Sequence, residues 1–167
     1  MKTCFLFGHA DCPDDMLPKI ERAIENCYTK GVTDFYVGNR GNFDRLAATA
    51  VKNVKGRFSE IRLYLLLAYH PAARPVALWE GFDGSYYPPL ENVPRPFAIV
   101  RANRYMVDHS DALICYVRHI GNTKNLLEYA EKRKNSEGVF LMWRWRKISV
   151  VMRVGKNKYS LFSVGIS

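Results

Sequence analysis

Residues 3–44 read TCFLFGHADCPDDMLPKIERAIENCYTKGVTDFYVGNRGNFD, with two apolar runs on either side of an amphipathic segment. The run from Thr3 to Gly8 is almost continuously apolar, which is typical of a strand buried on both faces. From Asp14 to Lys30, apolar residues recur at helical spacing, and Gly31 follows as a helix terminator. A second strand is expected from Val32 to Val37. Strand, helix and strand in this order form the unit from which parallel sheets are built.

The rest of the chain continues this alternation. Helical spacing predicts helices over residues 43–55, 97–109 and 121–134, and apolar runs predict strands over residues 61–68, 112–117 and 139–143. We therefore predict an α/β fold. It is a Rossmann-like, doubly wound and mainly parallel sheet of about five strands, with helices on both faces and a C-terminal basic strand or hairpin.

Residues 70–96 interrupt the pattern, because six prolines and several aromatic residues fall in a stretch without periodicity. Long loops of this kind usually form lids or ligand walls. The aromatic side chains that could form such a wall are those of Trp79, Phe82, Tyr86 and Tyr87.

Charge is distributed unevenly along the 167 residues, whose formal net charge is +9. Residues 132–167 contain nine basic residues and one acid, so residues 1–131 are nearly neutral. We expect a ligand-binding domain over residues 1–135. Residues 136–167 would then supply the last core strand and a basic, apolar tail, either as part of the same domain or as an oligomer contact.

The tail supports three expectations. Residues 148–154 and 158–164 flank Gly155-Lys156-Asn157 and are expected to pair as a terminal hairpin. Its basic residues, with Trp143-Arg144-Trp145-Arg146, could bind nucleic acid or simply protect an edge strand from aggregation. A homo-oligomer is expected because several apolar residues look exposed: Leu141, Trp143, Trp145, Val150, Val151, Leu161 and Phe162.

The sequence contains no recognisable targeting or metal-binding pattern. Its longest apolar run, Leu63–Tyr69, is too short to span a bilayer, and the N-terminal apolar stretch is too short for a signal peptide. We expect a cytoplasmic protein without membrane contact. The four cysteines lack metal-ligand spacing and no histidine has a partner four residues away, so no metal is expected and the thiols should be reduced.

Three glycine-bearing turns follow predicted strands and precede helices: residues 8–10, 38–44 and 121–123. Carboxyl ends of parallel strands meet at one sheet edge, and helix N-termini there favour anions. The turns therefore indicate a phosphate-bearing ligand. The alternative is that each glycine only meets the steric needs of its turn. The usual dinucleotide, P-loop and nucleophile-elbow motifs are missing.

Two further residues are candidates for this site. His9 follows a strand end beside a glycine, where it either contacts the ligand or caps the next helix. Arg101 belongs to the donor-rich helix 97–109, where it either reaches a phosphate or contributes to a solvated charged face.

These motifs together resemble the SLOG superfamily, and within it the YpsA-like branch. The resemblance covers about residues 3–135 and rests on Phe5-Leu6-Phe7-Gly8-His9, Gly38-x-x-Gly41-x-Phe43-Asp44, Arg101-x-Asn103-Arg104-x-Met106-Val107-Asp108-x-Ser110-Asp111 and Gly121-Asn122-Thr123. It implies a Rossmann-like sheet and a nucleotide or nucleotide-derived ligand. Similar proteins include cytokinin-activating phosphoribohydrolases, the DNA-processing protein DprA and sensors of nucleotide-derived signals.

Two departures from the family pattern bear on activity. Ala10 stands where the branch commonly has Arg, and Leu126 stands where the phosphoribohydrolases have Glu. We therefore expect a sensor or sequestering protein that needs no cofactor. Its predicted ligand-binding residues are Gly8, His9, Gly38, Asn39, Gly41, Asp44, Arg101, Gly121, Asn122 and Thr123.

Two other functions remain open. The first is a phosphoribohydrolase or another nucleotide N-glycosidase, in which Asp44 or Glu128 would supply the catalytic carboxylate. The second is a nucleic-acid-binding accessory protein that uses the basic tail.

Overall fold

The computed structural model describes residues 2–137, 139–145 and 148–154, with side chains described over 2–133 and 148–152. A short 3-10 turn, Asp14–Met16, precedes the first helix, and another, Arg95–Phe97, precedes the third. The strands and helices, in chain order, are β1 (Lys2–Gly8), α1 (Leu17–Thr29), β2 (Val32–Val37), α2 (Asn42–Lys55), β3 (Arg62–Leu66), β4 (Gly84–Tyr86), α3 (Ala98–His109), β5 (Ala112–Tyr116), α4 (Asn122–Glu137), β6 (Val139–Trp145) and β7 (Ile148–Val154).

All seven described strands belong to one sheet in the order β4-β3-β2-β1-β5-β7-β6. Pairing from β4 to β5 is parallel throughout, whereas β7 runs antiparallel to both of its neighbours. This confirms the predicted α/β class and the mainly parallel sheet, with seven strands in place of about five. The order reverses at β1, because the chain passes from β1 to β2 on one side while β5 pairs on the other. Ligands of open parallel sheets bind at such a switch point.

Helices cover both faces of the sheet, as the alternation in β1 shows. Cys4 and Leu6 belong to the hydrophobic cluster that contains residues of α1 and α2. Phe5 and Phe7 point to the opposite face and join a second cluster with residues of α3 and α4. A strand buried on both faces needs apolar residues at every position, which explains the continuous apolar run.

The loop over residues 70–96 contains β4, which the sequence analysis did not predict. This strand pairs parallel with β3 and forms the edge of the sheet. Asp83 holds the residues before β4 against the start of β3. Its carboxylate accepts hydrogen bonds from the backbone N–H of Leu63 at 2.8 Å and from Nζ of Lys55 at 2.6 Å. Three residues are too few to show a period, so the strand depends on pairing that is not local in sequence.

The predicted pairing of residues 148–154 with residues 158–164 in a hairpin is wrong for residues 148–152, which are most of β7. Residues 148–152 pair with β5 on one side and with β6 on the other, so both of their hydrogen-bonding edges are occupied. The hairpin that forms is β6–β7. Residues 155–164, which include the predicted turn and its second strand, lie outside the described residues.

Two of the residues that motivated the predicted oligomer are core residues. Val150 and Val151 are only 6% and 4% exposed and pack into the two opposite clusters. Leu141, Trp143, Trp145, Leu161 and Phe162 have side chains outside the described part, as do most of the basic residues predicted to contact nucleic acid. Among the described helices, none has both the length and the hydropathy needed to cross a bilayer.

All four cysteines are buried and unbridged. Cys4, Cys12 and Cys27 lie in the cluster beneath α1 and α2, whereas Cys115 lies in the cluster beneath α3 and α4. Burial, reinforced by the neighbouring carboxylates of residues 11, 15 and 14, raises the pKa of the Cys12 thiol to about 12. The prediction that the cysteines are mostly core residues is confirmed.

Candidate functional site

A cavity of about 290 Å³ opens at the carboxyl ends of the parallel strands, on the face covered by α3 and α4. Turns after three different strands reach it, as the sequence predicts for one edge of a parallel sheet. Six of the ten predicted ligand-binding residues line it: Gly8, Gly38, Gly41, Asp44, Asn122 and Thr123. The other lining residues are Phe5, Leu6, Phe7, Ala10, Arg40, Leu66, Ala68, Ile99, Ala102, Asn103 and Leu126.

Each glycine of the first two turns allows a close approach within the protein. A Cβ at Gly8 would overlap the ring of Phe43, which is fully buried. A Cβ at Gly38 would lie 2.8 Å from Oδ2 of Asp44, and one at Gly41 would lie 2.5 Å from Cα of Ala10. Gly8, Gly38 and Gly41 therefore all meet a steric need of their turns, which is the alternative that the sequence left open. It also brings these turns close enough together to share a cavity.

Asp44 lies in the first turn of α2, where a carboxylate is favoured by the helix dipole. Its Oδ2 accepts a hydrogen bond of 2.9 Å from the backbone N–H of Arg40. Burial raises the pKa of this carboxyl to about 6, although the hydrogen bond and the positive charge of Arg40 act in the opposite direction. Asp44 can therefore gain or lose a proton near neutral pH.

The cavity has an apolar floor and a polar rim. Phe5, Phe7 and Leu126 supply part of the floor, and the rim is formed by Arg40, Asp44, Asn103, Asn122 and Thr123. Such a division suits a ligand with one apolar, planar part and one charged or hydroxylated part.

Helix α3 presents Asn103 to the cavity in place of Arg101. Positions 99, 102 and 103 share one helix face and all line the cavity. Arg101 points away from that face and is exposed. The apolar stripe of Ala102 and Met106 is the sequence signal that could have identified Asn103, because the asparagine adjoins it.

Arg40 is the cationic side chain that lines this cavity among the described residues. Arg40 is not among the predicted ligand-binding residues, although it lies inside the glycine turn 38–41. The sequence feature that could have identified Arg40 is its position between two glycines, just before the start of α2. A side chain at that position lies near the N-terminus of the helix.

The start of α4 offers backbone donors to the same cavity. Helix geometry leaves the first N–H groups of α4 without carbonyl partners. At α2 the first of these groups is already occupied, since Asn42 donates its N–H to the carbonyl of Ala10 at 3.0 Å. Gly121 does not line the cavity, but it has a φ of +154°, and a Cβ added there would meet no atom within 4 Å, so the space beside it is open.

The remaining predicted residues lie elsewhere. Asn39 lines a neighbouring hollow. Glu128 lies 3.9 Å from Lys124, its partner one helical turn earlier, and lines a separate depression. Among the described residues, Asp44 is thus the carboxylate that lines the cavity.

The aromatic residues of the 70–96 loop do not line the cavity either. Phe82 packs against the cluster beneath α1 and α2. The ring of Trp79 is exposed, and its centroid lies 6.3 Å from that of Phe82. Tyr86 and Tyr87 pack against the opposite cluster. A ligand held in this cavity would therefore lie away from the wall that these four side chains were expected to form.

His9 is buried outside the cavity, with its ring stacked on that of His119 at a centroid distance of 3.8 Å. Its Nε2 accepts a hydrogen bond of 3.3 Å from the backbone N–H of His119. The Nε2 of His119 lies 3.2 Å from the carboxylate of Asp11. The partner of His9 is 110 residues away, which is why the sequence did not reveal it.

His9, Asp11 and His119 are the described residues that come closest to a metal-binding set, with ligand atoms within 4.8 Å of one another. The two rings are nearly parallel, at 16°. The Nε2 of His9 already accepts a hydrogen bond from the backbone N–H of His119, and the Nε2 of His119 already lies beside the Asp11 carboxylate. These nitrogen atoms therefore have partners within the protein.

The two histidines are expected to titrate separately. Burial, and then the neighbouring His119, lower the pKa of His9 from the ordinary value of 6.5. Hydrogen bonds to the carbonyl of Ile120 and to Asp11 raise the pKa of His119. An NMR pH titration should show His119 protonating at a higher pH than His9, and Asp11→Asn should reduce the difference. The reverse order would contradict the stacked arrangement.

Comparisons of the chain with protein-family models and with curated proteins find no match.

Proposed function

We propose that this protein binds a phosphorylated, nucleotide-derived ligand in the 290 Å³ cavity and releases it unchanged. The observation that carries the proposal is the convergence of the α2 and α4 N-termini and the Arg40 side chain on one cavity at the switch point of the sheet. Helix N-termini and guanidinium groups both favour phosphate oxygens. Membership of the SLOG superfamily is part of the same proposal, and it rests on the motifs described above.

Each part of the ligand would meet a suitable surface. The phosphate would lie near Arg40 and the first turn of α4, where Thr123 adds a hydroxyl. The base or sugar would cover the floor formed by Phe5, Phe7 and Leu126. Asp44, when ionised, would accept a hydrogen bond from a ribose hydroxyl, an interaction worth roughly 1.5–3 kcal/mol.

Binding without hydrolysis is favoured by Leu126. This side chain lines the cavity at the position where similar phosphoribohydrolases have a glutamate. An apolar side chain can neither stabilise an oxocarbenium-like centre nor move a proton. Glu128, which lies outside the cavity, does not replace it.

One observation favours nucleotide N-glycosidase activity as a second candidate. The pKa of Asp44 is raised to about 6, which is close to the value that a general acid or base needs near neutral pH. In this function Asp44 would activate a water molecule or stabilise positive charge on the sugar.

We expect a thermal-denaturation screen of nucleotides, NAD, ADP-ribose and cyclic nucleotides to identify a ligand that stabilises the protein. A ligand present at 100 times its Kd should add about 2.7 kcal/mol, which corresponds to roughly 5–10 °C in Tm for a chain of this size. After long incubation, chromatography should recover that ligand intact.

Two carboxylate variants separate binding from hydrolysis. Asp44→Asn should weaken ligand affinity by roughly 10–100-fold, whereas Glu128→Gln, a matched change outside the cavity, should leave it unchanged. Steady release of free base by the wild-type protein, abolished in Asp44→Asn, would establish the glycosidase instead. No stabilisation by any compound of the screen would contradict both functions.

A further inference from the structure

Three guanidinium groups surround the ring of Tyr69, just beyond the end of β3. Their Cζ atoms lie 5.9 Å (Arg40), 5.3 Å (Arg74) and 5.8 Å (Arg95) from the ring centroid. The three arginines come from separate parts of the chain: the turn after β2, the loop after β3 and the 3-10 turn before α3. We call this set the arginine cluster. Folding thus gathers three positive charges around one aromatic ring.

No carboxylate pairs with these three guanidinium groups among the described residues. This differs from Arg45, which lies 2.7 Å from Asp14, and from Arg133, which lies 2.9 Å from Asp108. Cation–π contacts hold the cluster in place, and the Asp44 carboxyl interacts with the charge of Arg40, so the charge of the cluster is only partly compensated among the described residues. Each guanidinium lies within 6 Å of the same ring centroid, so no two of them are more than about 12 Å apart, and their positive charges together favour an anion nearby.

The cluster borders a second hollow of about 260 Å³, whose lining includes Asn39, Arg40, Tyr69 and Arg74. Arg40, Leu66 and Ala68 line both this hollow and the main cavity. The two spaces are therefore neighbours that share a wall, and Arg40 stands at their boundary. A ligand that fills the first cavity therefore lies next to the second.

We infer that the ligand carries a second phosphate, linked to the first through a pyrophosphate bond and held by the arginine cluster. This inference rests on the proposed function, because it assigns the main cavity to the first phosphate and the base or sugar. Guanidinium groups bind phosphate oxygens in pairs, and clusters of them are the usual protein device for doubly charged phosphates. Arg40 would contact both phosphates. The ligand class is therefore a nucleoside diphosphate or a larger molecule built on one.

The test is calorimetric titration with the mono- and diphosphates of adenosine, guanosine, cytidine and uridine. For the base that binds, we expect the diphosphate to bind the wild-type protein about tenfold or more tightly than the monophosphate. In the double variant Arg74→Gln/Arg95→Gln that advantage should disappear, with monophosphate affinity within about twofold of wild type. Arg40 is left in place because it also lines the main cavity.

Arg62→Gln provides the matched control. Arg62 is exposed like Arg74 and Arg95, but it begins β3, so it lies at the opposite end of the strand from the cluster. Because all three substituted side chains are exposed, the variants should fold as the wild type does, and thermal denaturation without ligand checks this.

Each other outcome has a definite meaning. Equal affinity for mono- and diphosphate overturns the second phosphate and leaves the proposed function standing. A loss of affinity for both in the double variant also overturns it, because the cluster would then act on the first phosphate. If none of the eight nucleotides and no compound of the denaturation screen binds, both the inference and the proposed function fail.

Discussion

Asp44→Asn should make the ligand-free protein more stable at pH 7–8 while weakening its affinity for ligand. The pKa of Asp44 is raised to about 6 in the folded chain by burial, against about 3.9 in an unfolded chain. A raised folded pKa gives stability that is complete below the unfolded value and is lost as the pH rises through the folded value. The loss for Asp44 therefore falls between about pH 4 and pH 7. The stability lost over this range is about 2–3 kcal/mol. We expect a value near 2 kcal/mol, because the side chain is partly exposed and solvent screens its charge.

Asparagine cannot ionise, and its side-chain oxygen can still accept the hydrogen bond from the N–H of Arg40. Urea denaturation at several pH values should therefore give wild type and variant similar free energies of unfolding near pH 4. At pH 8 the free energy of unfolding of the variant should be higher by roughly 2 kcal/mol. Asp15→Asn, a change of the same group at an exposed position, is the control. A constant difference between Asp44→Asn and wild type from pH 4 to pH 8 would show that the carboxyl is not held in a buried state.

Gly41→Ala should destabilise the protein and disturb the cavity. The new methyl group would lie 2.5 Å from Cα and 2.6 Å from Cβ of Ala10, so backbone must move. The movement would strain the hydrogen bond from the N–H of Asn42 to the carbonyl of Ala10. We expect a loss of about 2–4 kcal/mol, or roughly 5–15 °C in Tm. The φ of Gly41 is −170°, which any residue adopts, so the effect is steric.

Gly84→Ala is the matched control, because its Cβ would lie 3.5 Å from the ring of Tyr64, an ordinary contact. This variant should stay within about 1 kcal/mol of wild type. A Gly41→Ala protein with the wild-type Tm would mean that the turn after β1 and the start of α2 are not in the close contact described here.

The fold was largely predictable because its core elements can be recognised from local sequence. The bounds of β2, Val32–Val37, were predicted to the residue, and α3 differs at one end by a single residue. Apolar residues at period-2 or helical spacing identify such elements without knowledge of their partners. The position of β7 was not predictable in this way, because it depends on pairing such as that between Ile114 and Val150.

The site was predictable to the level of backbone turns but less so for side chains. The turns at Gly8, Gly38 and Thr123 could be placed because carboxyl ends of parallel strands share an edge. Which face of α3 meets that edge depends on how the helix rotates onto the sheet, and this decides between Arg101 and Asn103. The arginine cluster was missed for a similar reason, since its members meet only after three loops fold together.

The placement of the cysteines gives this protein two built-in reporters of local opening. Thiol reagents attack the thiolate, and burial both shields the sulfur atoms and, at Cys4 and Cys12, raises the thiol pKa. Alkylation of the native protein must therefore wait for a fluctuation that exposes the thiol. Cys27 and Cys115 lie on opposite faces of the sheet. The modification rate of Cys115 thus measures how often the layer of α3 and α4 opens, and that of Cys27 measures the layer of α1 and α2 independently.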